Sequence, residues 1–449
     1  MSLSRRARVL VSGLAAATLL VPVSAQAHEP SGPAESLGSQ CSPTNQNRPV
    51  CGANTPRAEA NFLDPTARVM GANNIVLGGQ VYVGPFAQLL ASQSAPIELG
   101  SQTNVQDNVV VWANAARSPA GARSLAAVGL STRSGVKSGE RVIMAHGSSV
   151  RGPARLGVLR KGQRAPKVDS GVFISFGARV DGAVIERDSG LSAMSRVGPG
   201  VRLRSGFIVL PGKNVTTQTQ ADNPALGKVR PITEADRLFN AGVVEVNVGL
   251  AREYSRLARE DKSALRGINL DPGGNEFDEE RNAPTVQSSN CTGPEVRRPS
   301  FRNRIIGDVC LQDSLKKLDR VMGHRIAIRA DEGGPFRIGS IDKMDDRVVF
   351  HALEGADLRV GNNVTYGAGA IVHGGGRPVL NAAASVSAPT VIENDVRLGA
   401  GAVVFRSHVR NGGRIGDRSV VVGSELKPGQ RIAPRTIFAN GEVFGPVEW

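Results

Sequence analysis

The sequence predicts a mainly β protein: two parallel β-helix domains of hexapeptide repeats, the first followed by an α-helix. Three observations carry this. The 449 residues include 53 glycines and 26 prolines but only 4% aromatics, a composition of many turns around a core of small side chains. An aliphatic residue followed closely by glycine or another small residue recurs about every six positions. The second half of the chain then repeats the first.

The chain opens on Arg5, Arg6 and Arg8, then the apolar stretch VLVSGLAAATLLVPV and the triplet Ala25-Gln26-Ala27. A basic start, a short apolar middle and a small-x-small triplet predict a signal peptide over 1–27, cleaved near Ala27, and an exported chain. The stretch is too short and too rich in small residues for a membrane span, and no later segment is long and apolar enough for one. Ser4-Arg5-Arg6 leaves general and twin-arginine export both open. Residues 28–60 read as an extension holding Cys41 and Cys51, while Cys291 and Cys310 lie far along the chain. Export permits disulfides, and the pairs 41–51 and 291–310 close the shortest loops of the three possible sets. Losing the three leader arginines takes the formal charge from +14 to about +11. The basic residues are scattered and lack interleaved aromatics. That argues against a nucleic-acid partner and for a solvated surface attracted to anionic envelope polymers.

From Phe62 the short repeat begins, in ARVMGA, VYVGPF, IELGSQ, VVVWAN, RVIMAH, GARVDG and VRLRSG. This period is wrong for a helix and too long for simple strand alternation. In a hexapeptide β-helix, three short strands make one coil and each hexamer sends one aliphatic side chain to the axis. After Pro231 the period changes. Thr233-x-x-Asp236 supplies a cap, and apolar residues at helical spacing predict a helix over about 240–263 lying back along the stack. The first domain thus spans 61–263. Residues 264–299, rich in Gly, Pro, Asn and acids without periodicity, read as a linker, and the repeat resumes in a second domain over 300–449.

The duplication can be checked within the sequence. ADEGGPFRIG (330–339) aligns with ASQSAPIELG (91–100), and DDRVVFH (345–351) with QDNVVVW (106–112), both at an offset of 239. After a shorter loop, VTYGAGAIVHGG (364–375) aligns with VIMAHGSSVRGP (142–153) at an offset of 222. Three aligned columns hold a histidine in one copy: Trp112/His351, His146/Ala368 and Arg151/His373. The first copy keeps only the middle one, the second only the outer two. His28, His324 and His408 show no such relation. Three imidazoles with an open fourth position form the ligand set of a hydrolytic or hydrating zinc site, whose bound water has its pKa lowered to ~7. Singly, each histidine reads as a packed or surface residue. The complementary pattern makes them one set.

NFLDPTARVMGA, PFAQLLASQSAPIELGSQTNVQDNVVVW and AHGSSVRGP closely resemble a γ-class carbonic anhydrase, as do DEGGPFRIG, DDRVVFHALEG and VGNNVTYGAGAIVHGG in the second copy. The resemblance covers most of 61–258 and, without the helix, 302–440. It implies left-handed β-helices, trimer-like interfaces with one metal each, and reversible hydration of CO2 to bicarbonate by a metal-bound hydroxide. It further implies that His351 and His373 are the ligand pair from one face and His146 the ligand from its neighbour. In the arginine-acid motif, Arg329, Ala330, Asp331 and Glu332, the resemblance makes Glu332 the carboxylate that handles protons. Asp346 matches the family's acidic residue, Glu354 the proton-transfer acid, and Asn247, on the helix, the asparagine of the bicarbonate site. The first copy has Leu90, Ala91, Ser92 and Gln93 in the motif columns, which cannot do that work. The family's Asn-x-Gln stands as Asn104 and Gln106 in the first copy but as Lys343 and Asp345 in the second, which implies an active face without its glutamine. The loop between ligand columns spans 22 residues from His351 to His373 against 39 from Trp112 to Arg151, leaving Glu354 as the shuttle.

The metal expected is one divalent ion per composite site, zinc first, with iron and cobalt also compatible with the ligand set. The pairing is open between one chain and a homo-oligomer. Two other readings stand beside this one: an inactive scaffold or assembly subunit with structural histidines, and, last, a hexapeptide acyltransferase, whose extra apparatus nothing here resembles.

Overall fold

The computed structural model describes residues 61–113, 124–131, 133–159, 162, 164, 170–260, 303–307, 309–332, 336–353, 356–375, 377–378 and 387–449. The leader, the extension with Cys41 and Cys51, the linker, Cys291 and Glu354 lie outside the described residues.

Strands of two to five residues wind into two stacks. The first has sheets of eight, seven and six strands, and the second has sheets of eight, six and five. Successive strands of one sheet lie one coil apart and run parallel: Val142–Met144 pairs with Val172–Ile174, which pairs with Ser189–Leu191. The hexamer's aliphatic residue is the reason. In the first stack's eight-stranded sheet Leu63, Val83, Val105, Met144, Ile174, Leu191 and Val209 are register partners in turn, and all are buried. A column of side chains on the axis replaces the usual globular core. Fully burying each one stabilises the fold by about 1.5–3 kcal/mol relative to exposure. At the C-terminal end each eight-stranded sheet finishes in an antiparallel strand, Val229–Pro231 on Phe207–Val209 and Glu442–Pro446 on Thr436–Ala439.

The helices include α1 (Gln218–Asp222), α2 (Glu234–Glu260) and α3 (Leu315–Val321). α2 starts six residues earlier than the apolar spacing predicts, because its start is set by the cap. Asp236 N–H donates to Thr233 Oγ1 at 3.2 Å, and Thr233 N–H donates back to Asp236 Oδ2 at 2.8 Å. Asp236 also receives both arms of Arg230, at 2.6 and 2.9 Å. The first turn is polar and lacks the apolar periodicity that appears further along. α2 lies on strands Phe62–Leu63, Tyr82–Val83 and Val142–Met144 of the first stack. Its Leu250, Ala251 and Tyr254 pack with Phe62, Tyr82 and, from the second stack, Ile306.

The two eight-stranded sheets face each other. Ala145, Phe176 and Met194 of the first stack meet Val349, Ile371, Val403, Val420 and Ile437 of the second. Buried ion pairs also cross the junction, among them Arg304 donating to Asp64 at 3.0 and 3.2 Å. The stacks therefore pack against each other within one chain.

Candidate metal centre

Each ligand side chain arrives by a simple device. In the second stack the residue after each core aliphatic points out of the coil. There His351 pairs in register with His373, and His373 with Phe405, so the imidazoles form a ladder facing the first stack. The first stack preserves the same register pair as Trp112 and Arg151, stacked with the guanidinium 5.9 Å from the ring centroid. That pair lies on a different face of its stack, half-open to solvent, so the aligned columns are structural equivalents with opposite surroundings. His146 instead sits at a corner just beyond strand Val142–Met144, where Ser148 N–H closes a turn onto Ala145 O at 3.0 Å. Gly147, at φ 67°, takes the left-handed position that the turn requires.

The structure brings His146, His351 and His373 together from the two stacks, all buried, with ligand nitrogens within 4.8 Å of one another. His146 Nε2 lies 3.1 Å from His351 Nδ1, which lies 3.3 Å from His373 Nε2. A tetrahedral ion bound at about 2.0–2.1 Å separates its nitrogen ligands by about 3.3–3.4 Å, so this spacing is that of a site ready for one. The rear nitrogens explain the orientation. His146 Nδ1 is 2.8 Å from Asp107 Oδ2. His373 Nδ1 is 2.6 Å from the Gly374 carbonyl. His351 Nε2 lies 3.3 Å from Asp331 Oδ1 and 3.2 Å from Glu332 Oε1. With an oxygen near each rear nitrogen, rings in the neutral form carry their hydrogens at the rear and turn three lone pairs to the front. Three converging lone pairs repel unless a cation lies between them.

The electrostatics show how much positive charge the pocket favours. Burial pushes His373 well down, and it takes His146 to about 4 against the pull of Asp107. Burial and Arg329 also work to lower His351, but the Glu332 and Asp331 carboxylates outweigh them and hold it at about 9. The trio thus favours one positive charge among three imidazoles. A second grouping, Asp331, Glu332 and His351, lies on the far edge of the same ring. It is the weaker cradle, because Asp331 Oδ2 is already taken by Arg329 and by the Tyr254 hydroxyl.

Arg329 ties this arrangement together from the second stack. Its fork donates to both oxygens of Asp107 in the first stack at 2.9 Å and its third arm to Asp331. Burial opposes ionisation of Asp107, yet Arg329 and His146 hold its carboxyl far below the usual range. Arg329 is therefore a positioning residue. It fixes one carboxylate behind His146 and another behind His351.

Asp346 requires a correction. It is exposed and accepts from His324 N–H at 2.8 Å, away from the trio, and the acid in contact with the histidines is Asp107, its counterpart in the other copy. The reason is local: Gly147 N–H bonds Asp107 O at 3.0 Å, so Asp107 sits on the corner one coil before His146 and travels with it. The supposed lack of a glutamine falls for the same reason. Asn104 and Gln106 stay buried beside Asp107, while Lys343 and Asp345 pair with each other at 2.8 Å near the surface. Asn247 is buried on α2, with Nδ2 donating to Val243 O at 2.7 Å and Oδ1 unpartnered; no hydrogen bond joins it to the trio among the described residues. The Asn104 amide is likewise unpartnered, on strand Asn104–Val105 next to the strand that α2 covers. Sequence reading also missed the aromatic walls: Phe176 and Phe405 lie 4.9 and 5.3 Å from the His373 ring, while Tyr254 holds Asp331. The apolar residue following His373 in the outward register column was the available pointer.

No family model matches the chain. Over 199 residues it is 31% identical to a carbonic anhydrase of Methanosarcina thermophila, an alignment covering 43% of this chain and 72% of that relative. A hexapeptide transferase family protein from Anaplasma phagocytophilum is similar at 23% identity over 43% of this chain and 91% of its own, with a TM-score of 0.24.

Proposed function

The chain belongs to the carbonic anhydrase family, and from that premise we propose that it hydrates CO2 reversibly at one composite metal centre per chain, held by His146, His351 and His373. The observation that carries the reading is the convergence of three front nitrogens from two stacks, each with an acceptor behind it. Once bound, a zinc ion supplies Lewis acidity, lowering the pKa of a water to ~7. The residues do the rest. Asp107 and Gly374 O fix the tautomers and angles of His146 and His373. Glu332, a buried carboxylate whose Oε1 lies 3.2 Å from His351 Nε2, takes the proton lost by the attacking water. Glu354 relays it to buffer. Asn247 orients bicarbonate through its free Oδ1. Phe176 and Phe405 keep the His373 side dry for an apolar substrate.

The enzyme works outside the cytoplasm, a reading supported by the leader pattern of residues 1–27; among the described residues no helix is long and apolar enough to cross a membrane. Elemental analysis joined to a CO2-hydration assay tests the function. About one zinc per chain is expected, with activity lost on chelation and restored by metal. Full activity in metal-free protein sinks the reading. Glu332→Gln is expected to lower kcat by about 10²–10⁴ with metal content unchanged. An unaltered rate would remove Glu332 from the proton path.

A further inference from the structure

The seam between the stacks holds a second feature, unrelated to hydration. Each coil turns a corner with one residue at positive φ. In the second stack the hydrogen bonds from one corner to the next place Arg347, Gly369, Gly401 and Arg418 in line, at φ 63°, 70°, 63° and 55°. In the first stack the facing corners are Gly147, Gly177 and Met194, at φ 67°, 60° and 53°. The four glycines leave no side chains where the two rows meet, and a groove of about 860 Å³ runs there. Arg179 and Arg196 line its first-stack wall, Arg347 and Arg418 its second, and Trp449 its end.

The charge in the groove is unbalanced. Asp181 serves Arg179 at 3.1 Å and Arg196 at 2.8 Å, with Arg151 4.0 Å away. Arg347 and Arg418 have no carboxylate partner among the described residues. Arg418 and Arg179 reach from opposite stacks to the same ring, 4.6 and 5.9 Å from the Trp449 centroid, and the Trp449 indole N–H is fixed on Met194 O at 2.7 Å. Burial, then Arg435 and Arg179, push the Arg418 guanidinium below its ordinary value. Arginine at a left-handed corner is also the strained choice where glycine is free. Coils rise about 4.8 Å, so Arg347 and Arg418, three coils apart, span about 14–15 Å along a straight row of corners, with Met194 and Ile371 also lining the groove.

We propose that this groove binds a linear oligophosphate, a chain of phosphate groups laid along the seam with its charges on Arg347, Arg179 and Arg418. Phosphate suits planar guanidinium forks, which grip two oxygens at once, and a chain uses arginines too far apart to meet on one ion.

Calorimetric titration of the full chain with inorganic tripolyphosphate and with orthophosphate, at fixed low salt, tests it. Tripolyphosphate is expected to bind once per chain and at least roughly tenfold tighter than orthophosphate. Arg418→Gln and Arg347→Gln should each weaken it by about tenfold, and Arg418→Lys by less, since charge is kept while the fork is lost. Arg414→Gln is the control, within about twofold of wild type. Arg414 belongs to an exposed ladder with Arg397 and Arg431 on another face of the second stack. Equal loss in Arg414→Gln, several binding events per chain, or no preference for tripolyphosphate overturns the proposal. Melting curves of the variants separate loss of the groove from loss of the fold.

Discussion

Arg329→Met is expected to destabilise the protein by about 3–5 kcal/mol, the loss that follows when one partner is removed from a buried charge network. The side chain is wholly buried and serves two aspartates that are also wholly buried, one in each stack. Removing the guanidinium leaves Asp107 to His146, and Asp331 to His351 and the Tyr254 hydroxyl, so the desolvation of the two carboxylates is no longer fully offset. Methionine nearly matches the volume, so the loss is electrostatic and not a cavity effect. Chemical denaturation of wild type and Arg329→Met measures the difference. The triple variant Arg329→Met, Asp107→Asn, Asp331→Asn removes the guanidinium together with both aspartate charges it serves. It should recover much of the loss, as replacement of whole buried ion pairs often does. A single-variant loss below about 1 kcal/mol would mean that Arg329 is not the counter-charge the fold relies on.

His146→Ala is expected to abolish metal retention and to leave less than about one-hundredth of wild-type CO2 hydration, because two imidazoles cannot hold an ion that three hold. The substitution is informative because of its position. His351 and His373 remain in the second stack with their carboxylates and carbonyl intact, and the Arg329 bridge is untouched. A centre belonging to the second stack alone would survive it. Metal content and initial rates on His146→Ala and His351→Ala therefore decide whether the centre is shared. Activity and metal surviving both substitutions would remove the three histidines from the chemistry.

Much of this is legible in the sequence because the fold is periodic. Six-residue spacing registers one core side chain per strand, and aligning the two copies is enough to find the histidine columns. The helix start is not legible in the same way: apolar spacing reports the buried face, while Thr233, Asp236 and Arg230 set the boundary through polar contacts. The choice between Asp346 and Asp107 goes astray because both copies carry acid in that column, and alignment alone cannot tell which corner faces inward. The hydrogen bond from Gly147 to Asp107 supplies that answer. The roles of Tyr254 and Arg329 depend on how two stacks face each other, and no local pattern encodes that.

The corner that carries His146 and the ladder that carries His351 and His373 are parts of one covalent chain. Their mutual effective concentration is set by the connecting segment and is independent of how much protein is present. Dilution therefore does not take this centre apart, whereas a site divided between separate molecules thins out as subunits part. The duplication turns a concentration-dependent assembly into a property of each molecule.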